Sequence, residues 1–498
     1  MPYQDGIKMS TDASYRMPPF TLCHPTLMTP ALPVKNTSTT GQATDGRTFL
    51  RFWGLLSLLY LGWLLIFWPG VLGEDSAAVL MEVDNPDKFR SGKGVLWYYF
   101  IRLTYGATHL VEVPIIALIL LCAMFFARML AWYWTSRHRA LCVFLLLFIC
   151  AAPHMVYFTG TLYPDAIFAV ASCALLFELW LLCSQRQHSR ASLAVIALAL
   201  PFAVFVRANG IVFLAPAMLS LFLADRRSRW YLGTIIAFWC ATVYAGTQLH
   251  KSTAQSATDS LVLFETVKLL QPRAMNNLWH KQPLMNDPWV LQEPKLSART
   301  LEILDSYRPR ELMLAYSDPA YWDMLVFHPS GPQLFGLPED QRKELVQEFF
   351  RYNLWHNLPD VVASRVNVFL AAALAQGGFP ALDYAQYVLK RTQAQSQMRR
   401  FGLDQAEQAL RAVHRYSYAW RWLLWTPWLG MGLLALLLWR SCRCKDLPAL
   451  LATIPLALQL AGIAAFASAG EYRYLLLFFT MPLVLIPIMI SSAHESRS

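Results

Sequence analysis

The sequence predicts an all-α polytopic membrane protein, a bundle of about ten transmembrane helices with a mostly helical outer region, and three observations lead there. Of the 498 residues, 56% are hydrophobic and only 15% charged, whereas soluble domains carry about 25% charged residues. Mean hydropathy is +0.35, and apolar runs near the roughly 20 residues that cross a bilayer recur along the chain. The charges are also unevenly spread: positions 250–415 hold 18 Lys/Arg and 17 Asp/Glu, leaving 24 and 15 for the other 332 positions. This balance excludes an ordinary soluble enzyme. The net charge of +10 does not point to nucleic acid, since no basic stripe, zinc-ligand spacing or RNA-binding motif accompanies it.

Residues 1–47, rich in Pro, Thr, Ser and Gly and lacking the apolar core of a signal peptide, read as a disordered cytoplasmic tail. Residues 48–249 form a transmembrane bundle of about seven spans, at 51–69, 112–134, 140–158, 164–183, 191–206, 210–224 and 230–249. A long first outer loop, 70–111, lies within it. There Val95, Leu96, Tyr99, Phe100 and Leu103 recur at helical spacing beside Lys93 and Arg102, the pattern of an amphipathic helix lying at an interface. Residues 250–415 read as a periplasmic segment of amphipathic helices, with turns at Asn286-Asp-Pro, Ser317-Asp-Pro and Pro329-Ser-Gly. Residues 416–498 supply about three further spans, at 418–439, 447–466 and 475–491, and a short cytoplasmic tail.

Orientation follows from charge. With the N-terminus inside, the short inner loops carry Arg137, Arg139, Arg186, Arg190, Arg226, Arg227, Arg229, Arg440, Arg443 and Lys445, against only Arg207 and Arg473 in the short outer loops. The positive-inside rule then places both termini in the cytoplasm. None of the nine cysteines falls in 250–415, so no disulfide framework is expected in the exposed segment. Cys442-x-Cys444 reads as a plain loop, without further ligands at metal spacing. Trp53, Trp63, Trp68, Trp132, Trp134, Trp422, Trp425 and Trp428 read as an aromatic belt near span ends.

Ionised side chains are costly at the hydrocarbon boundary, so charges at the ends of apolar runs are functional candidates. Glu74 and Asp75 follow the first span, Asp165 opens the fourth, Arg207 separates the fifth from the sixth, and Glu471 and Arg473 precede the last. All face outward in this topology. Each has a plainer reading: Asp75 as a helix N-cap, Glu74 as a cap or a solvated charge, Asp165 as a dipole-favoured acid in a first turn, Arg207 as a snorkelling anchor, Arg473 as the partner of Glu471. Phosphate held in a bidentate guanidinium fork is the alternative for both arginines. Arg128 and Glu178 read as snorkelling to the inner face. His109 and His154 read as satisfied core polar groups.

The order of these features resembles the integral-membrane glycosyltransferases of the GT-C superfamily, such as the lipid A aminoarabinose transferases, the protein O-mannosyltransferases and the pilin arabinosyltransferases. The local matches are Trp68-Pro69-Gly70 to Asp75, Tyr163-Pro164-Asp165, Val206-Arg207-Ala208-Asn209-Gly210 and Tyr472-Arg473-Tyr474-Leu475. The chain departs from many relatives in carrying Glu74-Asp75 where they carry Asp-Glu. The resemblance implies a GT-C-like bundle in the bacterial inner membrane with its active site facing the periplasm. It implies a polyprenyl-phosphate-linked sugar donor and a cell-envelope lipid, glycan or protein as acceptor. Asp75, or Glu74, matches the first-loop acid that works on the acceptor. Arg207 and Arg473 match positions that hold the carrier phosphate, with Glu471, Lys93 and Arg102 beside them and Asp165 orienting Asp75 or the sugar. Whether a divalent cation takes part is open. Neither a Walker-type loop nor an Asp-x-Asp triplet is present, in keeping with a lipid-phosphate donor. An O-antigen-type glycan polymerase or ligase, a transporter or lipid flippase, and a non-catalytic scaffold are the competing readings.

Overall fold

The computed structural model describes residues 46–89, 91–185, 189–250, 257–271, 273–276, 289–292, 295–321 and 323–495. The N-terminal tail to residue 45, with Cys23, and also Arg186 and the Asn286 turn lie outside them. The chain is a multi-pass helical membrane protein. In order come α1 (Gly46–Ile66), α2 (Glu74–Asp84), α3 (Val95–Thr104), α4 (Glu112–Thr135), α5 (Arg139–Leu145), α6 (Pro153–Thr159), α7 (Pro164–Gln185), α8 (Arg190–Val204), α9 (Leu214–Leu223) and α10 (Arg226–His250). A helical segment from Ala257 to Ala419 follows, with one short antiparallel ribbon of Arg273–Asn276 and Trp289–Gln292. The helices Trp428–Cys444, Leu447–Phe466 and Pro482–Glu495 complete the chain.

Among the described residues, seven helices are long and apolar enough to cross a membrane, which does not confirm the expected ten. An eighth span exists if the pair Arg139–Cys150 and Pro153–Thr159 counts as one, but it is bent by 60°. The break falls where Pro153 has no N–H to continue the ladder and where Leu146–Cys150 widens into a π-turn. The fifth and sixth expected spans are shorter apolar helices, Arg190–Val204 and Ala208–Leu223. Fifteen residues rise only about 22 Å, less than the roughly 30 Å of a hydrocarbon core.

The fully buried α7 forms the axis of the bundle, packed by α4, α8, Leu447–Phe466 and Leu476–Thr480. The peripheral α1 instead turns Leu50, Leu55, Leu58 and Leu65 outward, as a lipid-facing surface requires. Arg128 and Glu178 do not snorkel. They form a buried bidentate pair between α4 and α7, with Nε–Oε1 at 2.6 Å and Nη2–Oε2 at 3.2 Å. Trp63 and Trp425 belong to the core rather than to a belt. His154 is buried against Trp425 and Phe479, yet neither ring nitrogen has a hydrogen-bond partner among the described residues. The α3 helix forms as expected, but its buried face is Val95, Trp97, Tyr98 and Ile101, while Arg102 and Leu103 face outward.

The segment 257–419 carries its own apolar cluster around Phe264, Val267, Ile303, Leu304 and Leu345. It docks on the bundle end that bears α2 and α3. There the Gln393 N–H donates to Asp84 Oδ2 (2.8 Å), the Gln395 N–H to the His109 carbonyl (2.8 Å) and the Arg399 N–H to the Trp68 carbonyl (3.0 Å).

Candidate functional site

Four connections meet at that same end. After α1 the chain turns through Trp68–Gly73, and Val71 pairs with the stretch before α7: its N–H donates to the Gly160 carbonyl and its carbonyl accepts from the Leu162 N–H, both at 3.0 Å. Ser76 Oγ donates to the Leu162 carbonyl at 3.0 Å. These bonds seat the start of α2, with Asp75 in its first turn, beside the start of α7, with Asp165 in its own. Arg207 is extended between α8 and a short 3-10 turn, Ala208–Phe213. Gly210 follows because a side chain there would meet the Ala203 and Val204 carbonyls. The fourth connection is clasped by the 257–419 segment: the Gly470 N–H donates to the Pro319 carbonyl (2.6 Å) and the Tyr472 N–H to the Gly377 carbonyl (3.0 Å). Arg365, paired with Glu265, also donates to the Ala467 carbonyl.

The result is a continuous ion-pair cluster. Lys93 Nζ lies 2.7 Å from Asp75 Oδ1. Arg473 pairs through Nη1 with Asp75 Oδ2 and through Nε with Glu471 Oε2, and the same Nη1 lies 3.8 Å from Asp165 Oδ2. Arg207 pairs with Asp165 Oδ1. Aromatic rings hold both guanidiniums: Arg207 sits 5.0 Å from the Tyr474 ring, and Arg473 sits 4.9 Å from Tyr163 and 5.5 Å from Tyr474. Three cations face three carboxylates. Lys93 is 27% exposed, Asp75 22%, Arg207 20% and Arg473 12%, whereas Asp165 and Glu471 are 1% and 6%. The first four therefore line the mouth, and the last two hold the arginines from behind. Burial pushes the Asp75 carboxyl upward, but Arg473 and Lys93 outweigh it and hold the group well below the usual carboxylate range.

Six of the eight residues singled out from the sequence thus come together: Asp75, Lys93, Asp165, Arg207, Glu471 and Arg473. Two do not. Glu74 points away along α2 to Tyr384 and Arg391, where it is 53% exposed. Arg102 is exposed on α3, where its guanidinium donates to Tyr98 Oη at 3.2 Å. Asp165 shares Arg473 with Asp75. Tyr163 and Tyr474, which sequence reasoning missed, flank the arginines; the signal was their adjacency to Pro164-Asp165 and Arg473. Among the described residues no three His, Cys, Asp or Glu side chains group as metal ligands. No family model matches the chain, nor does any curated protein or solved structure.

Proposed function

We propose that the protein is a GT-C-type membrane glycosyltransferase, which moves a sugar from a polyprenyl-phosphate carrier to a cell-envelope acceptor on the periplasmic side of a bacterial inner membrane. The observation that carries this reading is the convergence of Asp75, Lys93, Arg207 and Arg473, from three separate connections, at one partly exposed mouth. A cluster serving only to tie loops together would have no need to leave its cations accessible. An anion entering the mouth meets three cations and one carboxylate. An apolar groove of about 400 Å³ between α3 and α10, lined by Val95, Leu96, Tyr99 and Leu249, begins two residues beyond Lys93 and suits an isoprenoid chain.

In this reading Asp75 accepts the proton of the acceptor hydroxyl as that oxygen attacks the anomeric carbon. The carrier phosphate leaves from the opposite face, so the configuration inverts. Lys93, Arg207 and Arg473 stabilise the departing charge where water is partly excluded. Asp165 and Glu471 keep the guanidiniums aimed. The test is transfer by reconstituted protein from a panel of undecaprenyl-phosphate-linked sugars. Asp75→Asn should lower kcat by about 100-fold to 10,000-fold, the usual worth of a general base, while Glu74→Gln stays near wild type. Full activity of a normally expressed Asp75→Asn protein removes Asp75 as the base.

A further inference from the structure

The cluster raises a chemical difficulty that also shows how the site is controlled. A carboxylate held by Lys93 at 2.7 Å and by Arg473 is a poor proton acceptor, because its charge is already spent on those partners. A phosphate entering the mouth, meanwhile, finds these same two cations engaged. Asp75 faces Lys93 from the α2–α3 connection, Arg473 and Glu471 from the connection before the last span, and Tyr163 from the stretch just before α7. Asp165, Arg207 and Tyr474 stand behind these.

Resting on the glycosyltransferase reading, we propose that Lys93 and Arg473 are a shared clamp: they hold Asp75 in the unloaded protein and pass to the carrier phosphate when the donor binds, so that the base is released only in the loaded site. Arg207 stays on Asp165 throughout and marks the phosphate's fixed end. The chemistry reinforces the exchange. The donor is a phosphodiester with one negative charge. As the acceptor oxygen bonds to the anomeric carbon, its proton passes to an Asp75 oxygen. The carbon–oxygen bond to phosphate breaks, and its electron pair remains on phosphate. The leaving group is then a monoester carrying a charge of about −1.5 to −2. The growing charge draws Lys93 and Arg473 further from Asp75, which strengthens the base as the reaction proceeds. Such an interaction is stronger in the transition state than in the ground state, the condition for raising kcat. When the carrier leaves, Asp75 loses its proton to water and recaptures the clamp.

Competition for the same cations has a signature that a merely structural or merely catalytic Asp75 lacks: removing the carboxylate tightens carrier binding. The probe is undecaprenyl phosphate, titrated by native mass spectrometry into the full-length protein in nanodiscs. Asp75→Asn is expected to bind it roughly tenfold more tightly than wild type, and Lys93→Met more weakly. Glu74→Gln, which removes a neighbouring charge outside the clamp, should stay within about twofold. Equal or weaker binding by Asp75→Asn, with wild type binding, overturns the clamp and leaves the donor reading standing. No binding by wild type overturns both. Should Asp75→Asn fail to fold, pH–rate profiles of wild type decide: the acid limb of kcat, set by the loaded site, must lie above that of kcat/KM, set by the free enzyme. Coincident limbs refute the exchange.

Discussion

The Arg128–Glu178 pair is a structural pin, and its energy follows from its geometry. Both groups lie inside the bundle at 8% and 0% exposure, joined by two hydrogen bonds. With charge centres about 4 Å apart and an effective dielectric near 20, their attraction is about 4 kcal/mol. Breaking a buried pair by removing one partner independently costs about 3–5 kcal/mol, because the other charge is left uncompensated. Glu178→Leu and Arg128→Met should therefore each destabilise by about that amount. The double variant, with two apolar groups of similar volume, should lie within about 1 kcal/mol of wild type, a coupling of several kcal/mol. The assay is reversible unfolding in mixed micelles by increasing detergent denaturant, read across a double-mutant cycle. Since the pair lies on α4 and α7, away from the mouth, the double variant should keep its carrier binding. A double variant less stable than either single, or singles within about 1 kcal/mol of wild type, would refute the pin. Loss of function in a stable double variant would favour an intramembrane charge pathway, as a transporter requires.

Gly378 has φ +85 and approaches Glu471 so closely that an added Cβ would lie 2.7 Å from Glu471 Cβ. Gly378→Ala should cost roughly 1–3 kcal/mol and displace Arg473, lowering carrier affinity; unchanged melting and binding would contradict this. His414 accepts from Trp63 Nε1 at 3.2 Å, and burial, with Arg411 nearby, pushes its imidazole down to about 4. The unfolded chain then binds more protons than the folded one between about pH 6.5 and 4, so stability is complete above that window and falls on acidification through it. His414→Gln should flatten this part of a thermal-melt pH series, and an unaltered slope would exclude His414 as its source. Arg365→Ala should leave Glu265 buried without its cation, loosening the Ala467–Arg473 connection and lowering transfer; Arg365→Lys should restore part of the activity. Equal activity of all three proteins would show that this tether does not position Arg473.

Most of the site was visible in the sequence because charge at the end of an apolar run is expensive wherever the chain goes. Asp75, Asp165, Arg207 and Arg473 stand out on that ground alone, and the alternation of spans puts them on one side. Glu74 and Asp75 could not be separated without the direction of α2, since adjacent residues on a helix diverge by about 100°. Arg128 and Glu178 each looked solitary because their partnership spans 50 positions and two helices. The count of about ten spans is not confirmed, because hydropathy measures composition, not continuity, and only seven described helices are long and apolar enough by themselves. Pro153 breaks one run into a bent pair, and the runs on either side of Arg207 fold as shorter apolar helices. Trp63 and Trp425 were misplaced for a related reason: proximity to a span end does not say which way a helix face points.

The proposed transfer requires that the mouth between α2, α7 and the last span take a carrier phosphate. Native mass spectrometry with undecaprenyl phosphate, comparing wild type with Arg207→Gln/Arg473→Gln, tests it most directly, because the amides can still donate to Asp165 and Glu471 and so help preserve the fold. One carrier should bind per wild-type chain, with at least a roughly tenfold loss in the double variant. Equal binding by both proteins, or none by either, would contradict it.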